Sequence, residues 1–396
     1  MSIFPQGAYG AYGAYGAYGA YGAYSATGAY GAYGAYGKYG APPESPVLAN
    51  ALISTHDGIS GVQLQDLGGV LPGAPNNTKN LPRLSAGVRA AIYQAELGPT
   101  VDVTYASECG NPTAVLWRQA VDPADHQILR RDPMVIMSPP DIEQFKKQMT
   151  LISNYAQIRP DREAEILTQI EVPMPFYAAI VFIDPARTPY TLELLNAALA
   201  FASNAYQRIK YTLAVKRPIE LSPQIQPMIP TPTHGALPSG HATEAFIIAR
   251  LLWKLLLQSN TPQYEDTAHW GEMLMRLASR IATNRTVAGV HYPVDSVAGA
   301  LLGLTLAQHV YSMCRGGNWW STSFHGTRFD PHEDFNWHQL YNADGDKMKP
   351  FAQSPCEVWM TGEEVKVNAG VAPSPVLSWL WSRALKEWKD IRSKTA

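Results

Sequence analysis

Residues 233–258 read THGALPSGHATEAFIIARLLWKLLLQ, and the fold follows from how this stretch divides. Its first part is a polar loop in which His234 and His241 stand on either side of a proline, a serine and a glycine. Its second part is a long apolar segment, interrupted by Arg250 and Lys254, with the spacing of a helix that faces a core. The junction falls at Ser239–Gly240. A serine there caps the first helical turn, and the Gly240 amide adds an N–H at the positive end of the helix dipole, where anions bind. Capping alone is the plainer reading of Ser239, so the rest of the chain has to decide whether an anion is meant.

Outward from this segment, helical patterns dominate. SPPDIEQFKKQMTLISNYAQI opens with proline and aspartate in its first turn, and DREAEILTQI follows it. TPYTLELLNAALAFASNAYQRIKYTLAVKRP is a long helix expected to stop before Pro218. YEDTAHWGEMLMRLASRIATNRTVAG and PVDSVAGALLGLTLAQHVYSM complete a helical core, and GVRAAIYQAEL and PTAVLWRQAV read as short helices. PFYAAIVFI and EEVKVN are the only weak strand candidates. The expected fold class is all-α, a helix bundle.

Residues 8–40 are a near-perfect Ala-Tyr-Gly repeat, followed by the proline-rich GAPPESP. Glycine at every third position without proline does not suit a collagen triple helix, and glycine at this density resists an α-helix. Residues 1–44 are therefore expected to be a disordered low-complexity tail, with a Tyr-rich self-association or surface-adhesion segment as the sharper alternative. Residues 45–396 are expected to form one helical domain, its motif-bearing core at about 185–312 and its C-terminal part a wrap. The Trp- and Pro-rich residues 316–396 are expected to wrap the bundle, with Trp319, Trp320 and Trp337 as core or interface anchors. NADGDK (residues 342–347) lacks the acidic spacing of a calcium loop and reads as a turn.

Composition excludes several classes. A net charge of −2 with 16% charged residues gives no reason to expect nucleic acid or an anionic membrane as partner. Cys109, Cys314 and Cys356 are too far apart for a zinc site or a disulfide framework and read as buried small apolar residues. The start, MSIFPQG, has no secretory pattern, and no stretch reads as a transmembrane segment. A soluble, cytoplasmic protein is the resulting expectation.

Two further blocks carry chemistry. KYTLAVKRP holds Lys210 and Arg217, about two helical turns apart if the helix continues, so both would project from one face. Taken alone, this is a solvated basic stripe. NRTVAGVHYPVD holds Arg285, His291 and Asp295. Arg285 falls in the last turn of a helix ended by Gly289, and Pro293 opens the next. A carboxylate four residues beyond a histidine can accept its Nδ1–H and leave Nε2 free.

Taken in order, Lys-x6-Arg-Pro, Pro-Ser-Gly-His and Arg-x5-His-x3-Asp resemble the signature of the type 2 phosphatidic acid phosphatase and vanadium haloperoxidase superfamily. One position departs from it: the family phosphatases usually have serine before the second arginine, where Asn284 stands, and Ser279–Arg280 is out of register with His291. The resemblance implies one oxyanion pocket. Lys210, Arg217 and Arg285 supply positive charge, Ser239 and the Gly240 amide add neutral donors, and His291 binds or attacks the central atom. His241 is the acid–base partner and Asp295 orients His291.

Two reactions fit such a pocket, because vanadate and phosphate share a shape. In a phosphatase, His291 becomes a transient phosphohistidine and His241 protonates the leaving alcohol. In a haloperoxidase, as the resemblance implies, His291 is the metal ligand of a vanadate cofactor that uses hydrogen peroxide to oxidise a halide, which then halogenates an organic acceptor. A homo-oligomer is equally an implication of the resemblance. Three features favour the haloperoxidase: the expected solubility, the long segment before the first block, and His234. In the haloperoxidases the position seven before the acid–base histidine lines the halide side, histidine in bromoperoxidase-like members and phenylalanine in chloroperoxidase-like ones. The expectation is thus a bromide or iodide peroxidase, with a phosphomonoesterase, or an assembly protein driven by its tail, as alternatives.

Overall fold

The computed structural model describes residues 46–60, 73–108, 110–121, 128–171, 173–349, 357–366 and 373–391. The expected tail, residues 1–44, lies outside them, as do Cys109 and Cys356; Cys314 is a buried free thiol. The chain divides after Ile92 into two compact units. The first contains α1 (Pro46–Ser60) and a 3-10 turn, Thr78–Arg83, capped by the Asn77 side chain, which accepts from the Lys79 amide at 2.9 Å. The division falls within α2 (Ala86–Leu97).

The second unit runs, in chain order, β1 (Val101–Glu108), β2 (Asn111–Val121), β3 (Ile128–Ser138), α3 (Ile142–Tyr155), α4 (Arg159–Thr168), α5 (Met174–Ala178), α6 (Pro189–Leu213) and α7 (Pro218–Leu221). It continues with α8 (Gly240–Ser259), α9 (Thr267–Val287), α10 (Pro293–Arg315), β4 (Trp319–His325), a small hairpin of β5 (Tyr341–Asn342) and β6 (Lys347–Met348), β7 (Met360–Val365) and α11 (Pro375–Ile391). The helices match the sequence patterns closely, but the all-α expectation is wrong. A five-stranded mixed sheet, ordered β1-β2-β3-β4-β7, stands beside the helices, antiparallel except where β3 and β4 run parallel.

The physical reasons differ from strand to strand. PTAVLWRQAV, read as a helix, is almost the whole of β2. Thr113, Ala114, Val115 and Leu116 are all buried, so the strand offers a continuous apolar run without the alternation that distinguishes strand from helix. In β3, Pro133 sits opposite Trp117, where the register shifts between Leu116 and Trp117; the bulge accommodates a residue that ordinarily argues against a strand. β4 lies in the expected C-terminal wrap and instead pairs with β3 through a contact no local pattern announces. EEVKVN overlaps the end of β7, whereas PFYAAIVFI starts as α5, with Pro175 in the first turn where a proline suits a helix.

α8 is the central element. It is buried on nearly every side, packs against α9 and α10, and also meets α6 and α11; α6 lies on β1 and β2, and α10 on β3 and β4. The α8–α10 approach is closest at two glycines one turn apart on α10. A Cβ on Gly299 would stand 2.5 Å from the Ser239 carbonyl oxygen, and one on Gly303 2.4 Å from that of Thr243. No side chain fits at either place. Backbone contact brings the start of α10 onto the start of α8, and the Ser239 amide donates to the Asp295 carbonyl at 2.9 Å.

α10 is long and apolar enough to cross a bilayer, contrary to the sequence reading, but 89% of its apolar window is buried within the protein. It serves as a core helix here. The NADGDK turn joins β5 to β6, and its Asp346 accepts from buried Arg250 at 2.9 Å and pairs with Lys254. The Arg250 guanidinium also lies 3.9 Å over the Trp320 ring. Trp319, Trp320 and Trp337 are all buried.

The obstacle at Gly303 is backbone rather than a flexible side-chain end, so Gly303→Ala is expected to destabilise the fold by about 2 kcal/mol through overpacking. Urea denaturation checks this against Gly345→Ala, where the nearest atom lies at 3.9 Å and the change should stay within about 0.5 kcal/mol.

Candidate active site

Three helix ends and one loop build the site. Lys210 lies in the last turn of α6. The helix stops at Leu213, earlier than the sequence suggests, because Ala214 turns into the left-handed region (φ 49°) with its amide on the Lys210 carbonyl at 2.9 Å. Lys210 and Arg217 are therefore not two positions on one helix face. Arg217 instead precedes α7, where the Glu220 carboxylate accepts from its amide at 2.6 Å and Pro218 begins the helix. The two cations meet through the loop that contains His234. Lys210 Nζ donates to the Gly235 and Ala236 carbonyls at 2.8 and 3.0 Å, and Arg217 Nη2 reaches the same Gly235 oxygen at 3.3 Å.

Arg217 is the hub. Its Nε donates to the His234 carbonyl at 3.2 Å, and its Nη1 donates to the Val290 carbonyl at 2.8 Å and to His291 Nε2 at 2.9 Å. Nη2 donates to His234 Nδ1 at 3.0 Å. Because a guanidinium only donates, each contacted ring nitrogen is an acceptor. His291 therefore carries its proton on Nδ1, which donates to Asp295 Oδ2 at 2.8 Å; the Tyr292 amide donates to the same oxygen at 3.0 Å. The Nε2 lone pair of His291 faces the cations. His234 Nδ1 also lies 3.2 Å from the Gly235 carbonyl oxygen, but the shorter contact with the charged Arg217 donor makes it an acceptor and places the His234 proton on Nε2, in a side chain that is only half-buried.

The other wall comes from α8 and the end of α9. Ser239 caps α8, its hydroxyl accepting from the Ala242 amide at 3.4 Å. The Gly240 amide falls in the first turn, where amides lack intrahelical partners. A Cβ at Gly240 would meet the Tyr206 ring at 3.2 Å, so any larger residue requires that ring to shift. His241 Nε2 donates to the Gln169 carbonyl at 2.9 Å, leaving Nδ1 as the free ring position. Arg285, in the last turn of α9, is fully buried and spends only Nη2, on the Ile166 carbonyl at 3.2 Å and Gln169 Oε1 at 3.3 Å. Its Nε and Nη1 are buried without any partner.

All nine residues singled out in the sequence thus converge on one buried, cation-rich centre. Burial holds Lys210 well below the usual ammonium range, with Arg217 pressing in the same direction, and lowers Arg217 and Arg285 to about 10. His234 and His241 fall to about 3, first by burial and then by Lys210 and Arg217 in one case and chiefly Arg285 in the other. His291 is lowered too, by burial and then Arg217. Burial pushes the Asp295 carboxyl up, while the Tyr292 amide, Lys210 and Arg217 pull it back. The histidines are neutral at ordinary pH, first because they are buried and then because cations stand beside them.

Sequence reasoning missed Gln169, which touches both His241 and Arg285. It follows the last turn of α4, 72 residues before the histidine it holds, and no local motif marks it. Asn284, noted only as a departure from the family pattern, is fully buried and hydrogen-bonds Gln169 rather than facing solvent. Arg280, the out-of-register arginine, pairs with Glu165 at 2.8 and 2.5 Å at the surface.

Residues 192–319 match the family model of the PAP2 superfamily. The match runs from α6 to the first residue of β4 and contains every residue singled out in the sequence, but not Gln169. No curated protein matches the chain.

Two outcomes follow from this geometry. An incoming dianion offsets the cations that add to burial in depressing His234 and His241, so their pKa values should rise on binding. NMR titration of the two imidazoles with and without phosphate measures the change, and the absence of any upward shift would contradict the assignment. Asp295→Ala frees the His291 tautomer and should weaken oxyanion binding by about 10–100-fold.

Proposed function

We propose that this chain is an enzyme that holds a tetrahedral oxyanion at His291, and that its reaction is the vanadate-dependent oxidation of bromide or iodide by hydrogen peroxide. The supporting fit is chemical. Three cations are buried, and two guanidinium nitrogens of Arg285 are buried without acceptors, a costly arrangement unless an anion occupies the space. The PAP2 match is compatible with haloperoxidase and phosphatase chemistry alike. The observation that carries the finer reading is His234, whose ring is bonded to the same Arg217 that caps His291 Nε2.

The residues that would hold vanadate are His291 through Nε2, Lys210, Arg217 and Arg285 through charge, and Ser239 and the Gly240 amide as neutral donors. When bound, vanadate supplies the redox chemistry, activating hydrogen peroxide so that a halide is oxidised to a hypohalous-acid equivalent that halogenates an organic acceptor. Asp295 keeps the His291 proton on Nδ1 and so keeps Nε2 available. Arg217 occupies that lone pair until an anion oxygen takes its N–H. His241, pinned through Nε2 on the Gln169 carbonyl, exchanges protons at Nδ1. His234 offers its Nε2–H to the halide side.

Phosphoryl transfer is the second reading, supported by the same Asp295–His291 pair. His291 Nε2 forms a bond to phosphorus as the ester oxygen departs, His241 protonates that oxygen, and water then cleaves the P–N bond with His241 as base.

One metal-stripped preparation distinguishes these. Half is loaded with orthovanadate and assayed for peroxide-dependent bromination and iodination; half is assayed for hydrolysis of an aryl phosphate with and without vanadate. Vanadate-dependent halogenation that His291→Ala abolishes is expected. His234→Phe should lower kcat/KM for bromide by about tenfold, the equivalent of one hydrogen bond, while vanadate stays bound. Brisk hydrolysis blocked by vanadate, without halogenation, would establish the phosphatase instead.

A further inference from the structure

Arginines fix the donor–acceptor order around Arg285, because they can only donate. Arg162 Nη1 donates to Asn284 Oδ1 at 3.1 Å, so the other Asn284 terminal atom is its NH2. That group donates to Glu165 Oε2 at 3.0 Å and to Gln169 Oε1 at 2.9 Å. Arg285 Nη2 donates to the same Gln169 oxygen at 3.3 Å. With two donors on Oε1, the Gln169 amide cannot be flipped, and its Nε2 must face elsewhere. That nitrogen is buried and has no partner, in a side chain with no exposed surface. It shares a planar amide with the oxygen that Arg285 contacts. Three N–H-bearing nitrogens on these two touching side chains thus lack acceptors, a combination that calls for a ligand rich in lone pairs.

We propose that Gln169 is a binding and positioning residue of this pocket: its Nε2 donates to the bound tetrahedral oxyanion, its Oε1 sets the Arg285 guanidinium, and its backbone carbonyl sets the His241 tautomer. The proposal rests on the oxyanion reading above. It also accounts for Asn284. A serine hydroxyl has one proton to donate, whereas the asparagine NH2 grips Gln169 and Glu165 at once, and Glu165 is itself held by Arg280. The resulting strap runs from the surface of α4 and α9 to the anion, and its α4 half lies outside the residues matched by the superfamily.

Calorimetry with inorganic phosphate on the full chain tests this. Gln169→Met keeps the length but removes donor and acceptor, and should bind phosphate about tenfold more weakly than wild type. Gln169→Glu keeps an acceptor for Asn284 and Arg285 but replaces the free donor with an oxygen. It should bind weakly at pH 8 and recover, relative to wild type at the same pH, as the new carboxyl takes up a proton and regains a donor. A residue that merely braced Arg285 would be replaced well by a carboxylate and show no such recovery. Affinity of Gln169→Met equal to wild type, or of Gln169→Glu equal to wild type at pH 8, overturns the proposal. Should either variant fail to fold in thermal melts, Asn284→Ser serves instead: it leaves Nε2 in place but frees the amide to turn, so binding severalfold weaker supports the proposal and unchanged binding overturns it. Wild type that binds neither phosphate nor orthovanadate overturns the oxyanion reading and this proposal together. Binding lost in Arg285→Ala but kept in Gln169→Met overturns only the role of Gln169.

Discussion

The close approach of α8 and α10 at Gly299 and Gly303 is the constraint on which the rest of the molecule depends. Two backbones meet where no side chain fits, and the contact sets the first turn of α8 against the second and third turns of α10. It fixes the Ser239 amide on the Asp295 carbonyl, and with it the distance between the start of α8 and the carboxylate that bonds His291. A larger residue at either glycine would separate these two helix starts before it disturbed any side chain of the site.

The site stores positive charge in a place that disfavours it. Lys210, Arg217 and Arg285 are all buried, and the Asp295 carboxylate reaches the group through His291. The protein manages Lys210 and Arg217 with loop carbonyls: those of His234, Gly235 and Ala236 accept four hydrogen bonds from Lys210 and Arg217, the longer Arg217–Gly235 contact included. Arg285 receives less, and its Nε and Nη1 are buried without a partner. The low affinity of His234 and His241 for protons reflects burial first and the neighbouring cations second.

Arg217 links the three sequence blocks. It contacts the loop before α8 through His234 and Gly235, the turn after α9 through Val290, and the base of α10 through His291. Its position before a four-residue helix, rather than on α6, gives it reach to all three. A continuous helix from Pro189 to Pro218 would have carried it in a direction set by the helical period alone. The left-handed turn at Ala214 redirects it.

The long helices were legible because their apolar residues recur at the helical period and their ends carry proline, serine or glycine at the positions that caps require. The nine site residues were legible because three short blocks preserve residue type and spacing, which a local loop needs in order to present its groups. What the sequence by itself determined is therefore local: the caps, the helix cores and the order of Lys210, Arg217, Ser239, Arg285 and His291 along the chain. The sheet was hidden because β2 is buried without alternation and β4 finds its partner only after the helical core intervenes. Gln169 was hidden for the same reason. A buried amide acquires its role from the arginines and the asparagine that surround it, and only tertiary structure, which brings α4 against the end of α9, decides which of its atoms is left without a partner.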